Sequence, residues 1–286
     1  METAQLTVPT RDLFVEANGL RHHLLVRGAP SSPAVMMIHG LAGQAHTFDG
    51  IAPRLAERFH VYCLDVRGRG ESEWGPPDGY HVENYVADLE AIRAALNLES
   101  FALVGTSMGG LISMNYGARY PECVSRMVLN DVGPEIDPAG LQRIVAYVGH
   151  APEAFADMKA VVKYYRENYG PMVRGLPDDQ VAEFARWNVR KSDTGLYVWK
   201  MDPAVRAMTP RPPDEDPWSV AGRIKVPVLV LRGAESDVLS PGVAARMAEV
   251  IPDCRVVEVP GVGHAPLLIE PVAAEALADF LGPLLD

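Results

Sequence analysis

The chain has 286 residues, 48% of them hydrophobic, enough for one large domain or a domain with a sizeable insertion, and long enough to need no disulfides. Its three cysteines, Cys63, Cys123 and Cys254, include no C-x-x-C pair, which argues against a disulfide framework and a thiolate zinc site and suits a reducing compartment. The net charge of −11 disfavours nucleic acid, no apolar run approaches the ~18 residues of a membrane span, and Met1–Arg11 lacks a signal-peptide pattern, so a soluble cytoplasmic protein with no membrane partner is expected.

Two alternating stretches, Arg11–Ala17 and Leu20–Arg27, flank Asn18-Gly19, a favoured hairpin turn, and predict an antiparallel edge. Short apolar runs then alternate with helix-like segments. Strands are predicted over Ala34–Ile38, Phe59–Asp65, Phe101–Gly105 and Val124–Asn130, and helices over Phe48–Arg58, Val82–Leu96 and Gly109–Arg119. After a gap the alternation resumes: strand Val226–Arg232, helix Pro241–Val250, strand Arg255–Val259 and a closing helix Val272–Leu285. Alternation of this kind predicts an α/β fold, a mostly parallel sheet covered by helices on both faces.

Between Gly133 and Arg223 the strand signal disappears. Helical periods are broken by Pro152, Pro171, Pro177 and the Pro210–Pro217 cluster, and aromatic residues gather there, among them Tyr147, Tyr165, Tyr169, Phe184 and Trp187. We read residues 133–223 as a helical cap inserted into a sheet domain formed by residues 1–132 and 224–286. Most of its aromatics are expected to pack the cap, and some to line a pocket.

The strongest local signal is Gly105-Thr106-Ser107-Met108-Gly109, a G-x-S-x-G between a predicted strand and a predicted helix. A strand turning abruptly into a helix strains the serine backbone and leaves no room for side chains two residues to either side. Such a turn presents the Ser107 hydroxyl above the sheet edge, at a helix N-terminus that favours developing negative charge. The hydroxyl needs a base. Of eight histidines, His264, in the glycine-flexed loop after the last predicted strand, is best placed to serve it.

An acid should orient His264. Asp237, after the strand Val226–Arg232, is the preferred candidate, Glu235 in the same loop a weaker one, and Asp131, at the end of Val124–Asn130, a rival. The order Ser…Asp…His matches one of the known arrangements of this triad. The backbone N–H groups of Met108 and of Leu41, in His39-Gly40-Leu41-Ala42-Gly43, are expected to hold the oxyanion. His39 is expected to brace that loop; no second histidine at ligand spacing suggests a metal.

These motifs, with Asp65-Val66-Arg67-Gly68-Arg69-Gly70-Glu71-Ser72 and Gly263-His264, resemble the α/β-hydrolase superfamily, most closely its small carboxylesterase and enol-lactonase branch. The resemblance covers nearly the whole chain outside the cap. It implies an eight-stranded sheet, a lid after the sixth strand and no cofactor. Asp65 and Arg67 are expected to form a structural pair. Ser107 excludes the aspartate-nucleophile route of relatives that dehalogenate or open epoxides.

The expected chemistry is two-step acyl transfer on a small ester or lactone. A carbon–carbon hydrolase of vinylogous diketones is the nearest alternative, disfavoured by Ala265 after the histidine. Acyl transfer to alcohol or peroxide, and a receptor that has lost turnover, are the others. The cap arginines Arg143, Arg174, Arg186 and Arg190 are expected on outer faces, which predicts a preference for neutral, hydrophobic substrates.

Overall fold

Asn18 and Gly19 take positive φ values of 49° and 76°, the turn that matches the twist of two antiparallel strands. They join β1 (Arg11–Ala17) to β2 (Leu20–Arg27), with Ala17 paired to Leu20. The chain continues through β3 (Ala34–Ile38), β4 (His60–Leu64), β5 (Phe101–Thr106) and β6 (Val124–Asn130). Three short strands follow, β7 (Ala154–Phe155), β8 (Val189–Lys191) and β9 (Tyr197–Trp199), and then β10 (Val228–Gly233) and β11 (Cys254–Val259). The computed structural model describes residues 9–169, 173, 176–207, 212 and 214–285.

Eight strands form one sheet in the order β1-β2-β4-β3-β5-β6-β10-β11, parallel from β4 onward and antiparallel at β1 and β2. Its central strands are apolar on both faces because helices cover both. Val35 and Met37 join one core with Ala102 and Val104, while Met36 and Ile38 join the other with Leu103. The chain leaves β3 for β4 on one side and returns to β5 on the other. Strand order therefore reverses at β3 and β5, and the crevice above their C-terminal ends is where such sheets bind ligands.

Several elements differ from the sequence-based expectation. Instead of one helix over Phe48–Arg58 there is a 3-10 turn, Ala45–Phe48, and a short helix, Ala52–Leu55. A continuous helix would drive the Pro53 ring into the Asp49 carbonyl, whereas in the first turn the proline is harmless. The closing helix spans Pro271–Leu281 and tightens to a 3-10 turn at Gly282–Leu285.

The segment between β6 and β10 is not wholly helical. Beside the helices Pro138–Gly149, Met158–Asn168 and Asp178–Ala185, it holds a second sheet, order β7-β9-β8, antiparallel throughout. Its tight loop needs Gly195 at φ 85°, and Ser192 N–H donates to Leu196 O at 2.8 Å. Trp199 anchors it by donating from Nε1 to Pro152 O at 2.7 Å, with the Phe155 ring edge-on at 5.3 Å. Residues 1–8, Pro171, Arg174, Pro210 and Pro213 lie outside the described residues.

Candidate active site

Ser107 links β5 directly to the helix Met108–Arg119 and sits at φ 52°, a region that L residues rarely occupy. The glycines around it are enforced by contact. A Cβ on Gly105 would lie 2.3 Å from Gly109 O, and one on Gly109 only 2.0 Å from Ile38 O. Gly110 is equally constrained, with Val132 Cγ1 at 2.3 Å from its hypothetical Cβ. The turn is pinned by Ser107 N–H donating to Asn130 O at 2.9 Å and by Ser107 O accepting from Gly110 N–H at 2.8 Å.

His264 reaches this serine as expected, with Nε2 and Ser107 Oγ 2.8 Å apart. Its other nitrogen, Nδ1, lies 2.8 Å from Asp131 Oδ2, not from Asp237. Asp131 is fully buried and its carboxylate accepts two further bonds, from Gly233 N–H at 2.8 Å and Ser236 Oγ–H at 2.7 Å. A carboxylate only accepts, so Nδ1 carries the proton and Nε2 is left to accept from the serine hydroxyl. Asp131 also adopts a positive φ, 58°, so two of the three linked residues are held in strained backbone.

The choice of Asp237 as the histidine's partner is thus corrected. Asp131 follows β6, the strand next to β5, and its carboxylate meets His264 directly. Asp237 lies beyond the end of β10 and turns to the inserted segment, where Arg143 donates to it from Nε at 2.5 Å and Nη2 at 2.8 Å. These bonds from Arg143 hold the Asp237 carboxyl below its ordinary pKa despite partial burial. Glu235 faces solvent.

The loop after β3 lies against the nucleophile. A Cβ on Gly40 would come within 3.3 Å of Ser107 Cβ, and Gly43 N–H donates to Gly40 O at 3.0 Å. His39 braces this loop, as expected. Its Nε2 accepts from Val66 N–H at 3.0 Å, so Nδ1 must donate to Gly40 O at 2.7 Å. Complete burial lowers the His39 pKa to about 4 and keeps it neutral. Arg69, 1% exposed, reaches the same loop from Nε to Leu41 O at 3.3 Å.

Asp65 and Arg67 do not pair with each other. Asp65 accepts from Ala45 N–H at 2.6 Å and Glu71 N–H at 2.9 Å and faces His23 Nδ1 at 2.7 Å. Arg67 instead grips Asp88, with Nε 2.5 Å from Oδ2 and Nη2 on Oδ1. Asn130 is another residue the sequence reading missed. Fully buried, it donates from Nδ2 to Thr106 Oγ1 at 3.0 Å and Pro266 O at 2.8 Å, tying the serine strand to the histidine loop. The one signal the sequence carries for it is a polar residue closing the predicted strand Val124–Asn130; its register opposite Thr106 emerges only in the sheet.

Ser107, His264 and the Gly40–Gly43 loop open into a cleft of about 710 Å³, counted to its open mouth. Its far wall comes from the inserted segment: Arg143, Ile144, Tyr147, Tyr165, Asn168, Tyr169 and Phe184. Burial pushes the Tyr147 hydroxyl up to about 12 and those of Tyr165 and Tyr169 higher, so all three stay protonated donors. The expectation that every cap arginine faces outward fails for Arg143, which lines the cleft. Arg186 and Arg190 are exposed, the former pairing with Glu183 at 2.6 Å. Among the described residues no cluster of histidine, cysteine or carboxylate groups could hold a metal ion, and no helix is long and apolar enough to cross a membrane.

A family model described as the alpha/beta hydrolase fold matches residues 33–271. The chain belongs to the α/β-hydrolase family. This α/β hydrolase is 35% identical over 264 residues to a 3-hydroxybutyrate-oligomer hydrolase of Cupriavidus necator, covering 88% of this chain and 90% of the relative. It is 30% identical over 259 residues to a 2-(acetamidomethylene)succinate hydrolase of Mesorhizobium japonicum, covering 90% and 91%. Among solved structures, an α/β hydrolase of Novosphingobium aromaticivorans superposes with a TM-score of 0.86 at 34% identity, over 97% of this chain and 98% of that one.

Proposed function

We propose that the protein is a serine hydrolase of small carboxylic esters or lactones that works through an acyl-enzyme. The observation that carries this reading is the hydrogen-bonded chain Ser107–His264–Asp131 at the floor of a cleft, with the serine on its strained turn. In the first step Ser107 Oγ bonds to the substrate carbonyl carbon while His264 Nε2 takes the hydroxyl proton. The N–H groups of Leu41 and Met108 receive the oxyanion, each such donor contributing about 3 kcal/mol in comparable sites. Collapse expels the alkoxide, which takes the proton from His264. Water then attacks the acyl-enzyme by the same route, releasing the acid and regenerating Ser107. Asp131 fixes the imidazole tautomer and stabilises its charged form. Residues 133–223 act as the cap and residues 1–132 with 224–286 as the body.

The Cupriavidus relative, named for an oligomer joined through hydroxyl and carboxyl groups, supports ester cleavage. The Mesorhizobium relative, named for an acetamido compound, favours a second reading in which the same groups cleave a C–N bond and His264 protonates the departing nitrogen.

A fluorophosphonate tests the nucleophile, because an activated serine attacks its tetrahedral phosphorus. We expect one covalent adduct, located on Ser107 by peptide mass spectrometry, and loss of both adduct and esterase activity in Ser107→Ala. Labelling elsewhere, or an active mutant, overturns the assignment.

A further inference from the structure

The proposed reaction leaves one ion pair on the cleft wall without a role. Arg143, on the helix Pro138–Gly149, lines the cleft and commits Nε and Nη2 to Asp237. Among the described residues no group accepts from its Nη1. The pair is held from both sides. A Cβ on Gly140, one helical turn before Arg143, would lie 2.0 Å from Asp237 O, and Asp137 N–H donates to Val238 O at 3.0 Å. Helix and β10 loop therefore meet as a fixed contact, and the carboxylate is aimed at the guanidinium by backbone placement.

An unpaired arginine at this place would make a two-pronged receptor for a substrate carboxylate. The paired one is different. Its Nε/Nη2 fork is already filled and its charge is offset by Asp237, so what it offers the cleft is the remaining N–H groups of Nη1 and Nη2 without the pull of an unpaired cation. We infer that Asp237 sets the charge selectivity of the cleft: by neutralising Arg143 it favours uncharged acceptors on the acyl chain, such as a carbonyl, hydroxyl or amide, and turns away carboxylates. A carboxylate taking Nη1 would sit beside the Asp237 carboxylate, a like-charge contact. One that displaced Asp237 would leave that group half-buried and unpaired. The inference rests on acyl transfer at Ser107 as the reaction, and adds which acyl groups reach it.

The test uses two esters of equal shape, 4-nitrophenyl hydrogen glutarate and its terminal carboxamide. kcat/KM is measured for the wild type, Asp237→Asn, Arg143→Met and the double variant. Binding of both esters is measured by calorimetry in the same four backgrounds carrying Ser107→Ala. We expect the wild type to favour the carboxamide about tenfold or more, and Asp237→Asn to move the ratio at least about tenfold toward the carboxylate, 1.4 kcal/mol. Adding Arg143→Met should abolish that gain, and salt should shrink it, since the pair is partly exposed. The binding ratios should follow the kinetic ones.

An unchanged ratio in Asp237→Asn, or a wild type that already prefers the carboxylate, overturns the inference. So does an Asp237→Asn variant that loses turnover on both esters alike with its binding ratio unmoved, because Asp237 would then serve the chemistry. If the wild type hydrolyses neither ester but the Ser107→Ala proteins bind them with the expected ratios, acyl transfer fails and the charge selectivity stands.

Discussion

Replacing Asp131 by asparagine probes the hydrogen-bonded chain at its buried end. The side chain keeps its shape but exchanges one acceptor for a donor, in a site where three donors converge: His264 Nδ1–H, Ser236 Oγ–H and Gly233 N–H. If the amide oxygen faces Gly233, the new NH2 points at His264 and selects the tautomer protonated on Nε2, which cannot accept from Ser107. If the oxygen faces His264, the NH2 opposes the Gly233 N–H at a fully buried position, and leaving such donors unsatisfied costs about 1–3 kcal/mol. The backbone amide cannot turn away. The first arrangement is therefore favoured, and with it the inactive tautomer. A wrong tautomer in a Ser-His-Asp site lowers kcat about 10⁴-fold, or about 5 kcal/mol of transition-state stabilisation. The assay is kcat on a neutral 4-nitrophenyl ester, with the circular dichroism spectrum unchanged. Asp237→Asn should stay within about tenfold of wild type on the same ester. A loss of only about tenfold in Asp131→Asn, beside a loss of a thousandfold or more in Asp237→Asn, would refute the reasoning.

Two further outcomes follow from contacts around the site. Gly109→Ala would place a methyl group 2.0 Å from Ile38 O and 2.9 Å from His39 O, so we expect a lowered Tm and loss of fluorophosphonate labelling; a variant that labels at the wild-type rate would show that the turn is not held as described. His39 is buried and neutral with its pKa lowered to about 4, against 6.5 when unfolded, so the unfolded chain binds the extra proton between these values. Its contribution is fully present above pH 6.5 and is lost as pH falls toward 4, with a slope up to about 1 kcal/mol per pH unit. Urea denaturation between pH 4.5 and 7 should show a shallower pH dependence in His39→Gln, and equal slopes would refute the assignment.

What the sequence could reveal depended on how locally each feature is determined. The Asn18-Gly19 hairpin and the glycines around Ser107 are legible because a positive φ or a clash within a few residues decides them. The partner of His264 is not local. Asp131 and Asp237 both follow parallel strands at the same sheet edge, and a one-dimensional reading cannot tell which carboxylate meets the imidazole. Strand order can: Asp131 leaves β6, adjacent to the serine strand β5, whereas Asp237 stands four residues beyond β10. The β8–β9 hairpin was legible in principle, through Asp193-Thr194-Gly195 between Val189-Arg190-Lys191 and Tyr197-Val198-Trp199. Strands of three residues give too short an alternation to stand out among the surrounding helical periods. The inward turn of Arg143 depended on its distant partner, Asp237, and no period within its own helix announces it.

The placement of the acid has a consequence for the loop after β10. In the proposed mechanism His264 is oriented from β6, so the β10 loop need not supply the carboxylate. Gly233 and Ser236 instead hold Asp131 from behind, and Ser236 Oγ in turn accepts from Val238 N–H at 3.2 Å and Leu239 N–H at 3.1 Å. Asp237 follows directly after Ser236, its carbonyl packed against Gly140 and its side chain directed to the cleft wall. In the proposed scheme a single tight loop supports the chemistry through two residues and neutralises the cleft-wall arginine through a third. The two duties are separable because different atoms carry them: Ser236 Oγ and Gly233 N–H face the sheet edge, and Asp237 Oδ1 and Oδ2 face the insert. Substitutions at position 237 should accordingly redistribute activity among substrates, whereas substitutions at position 131 should lower it for all of them.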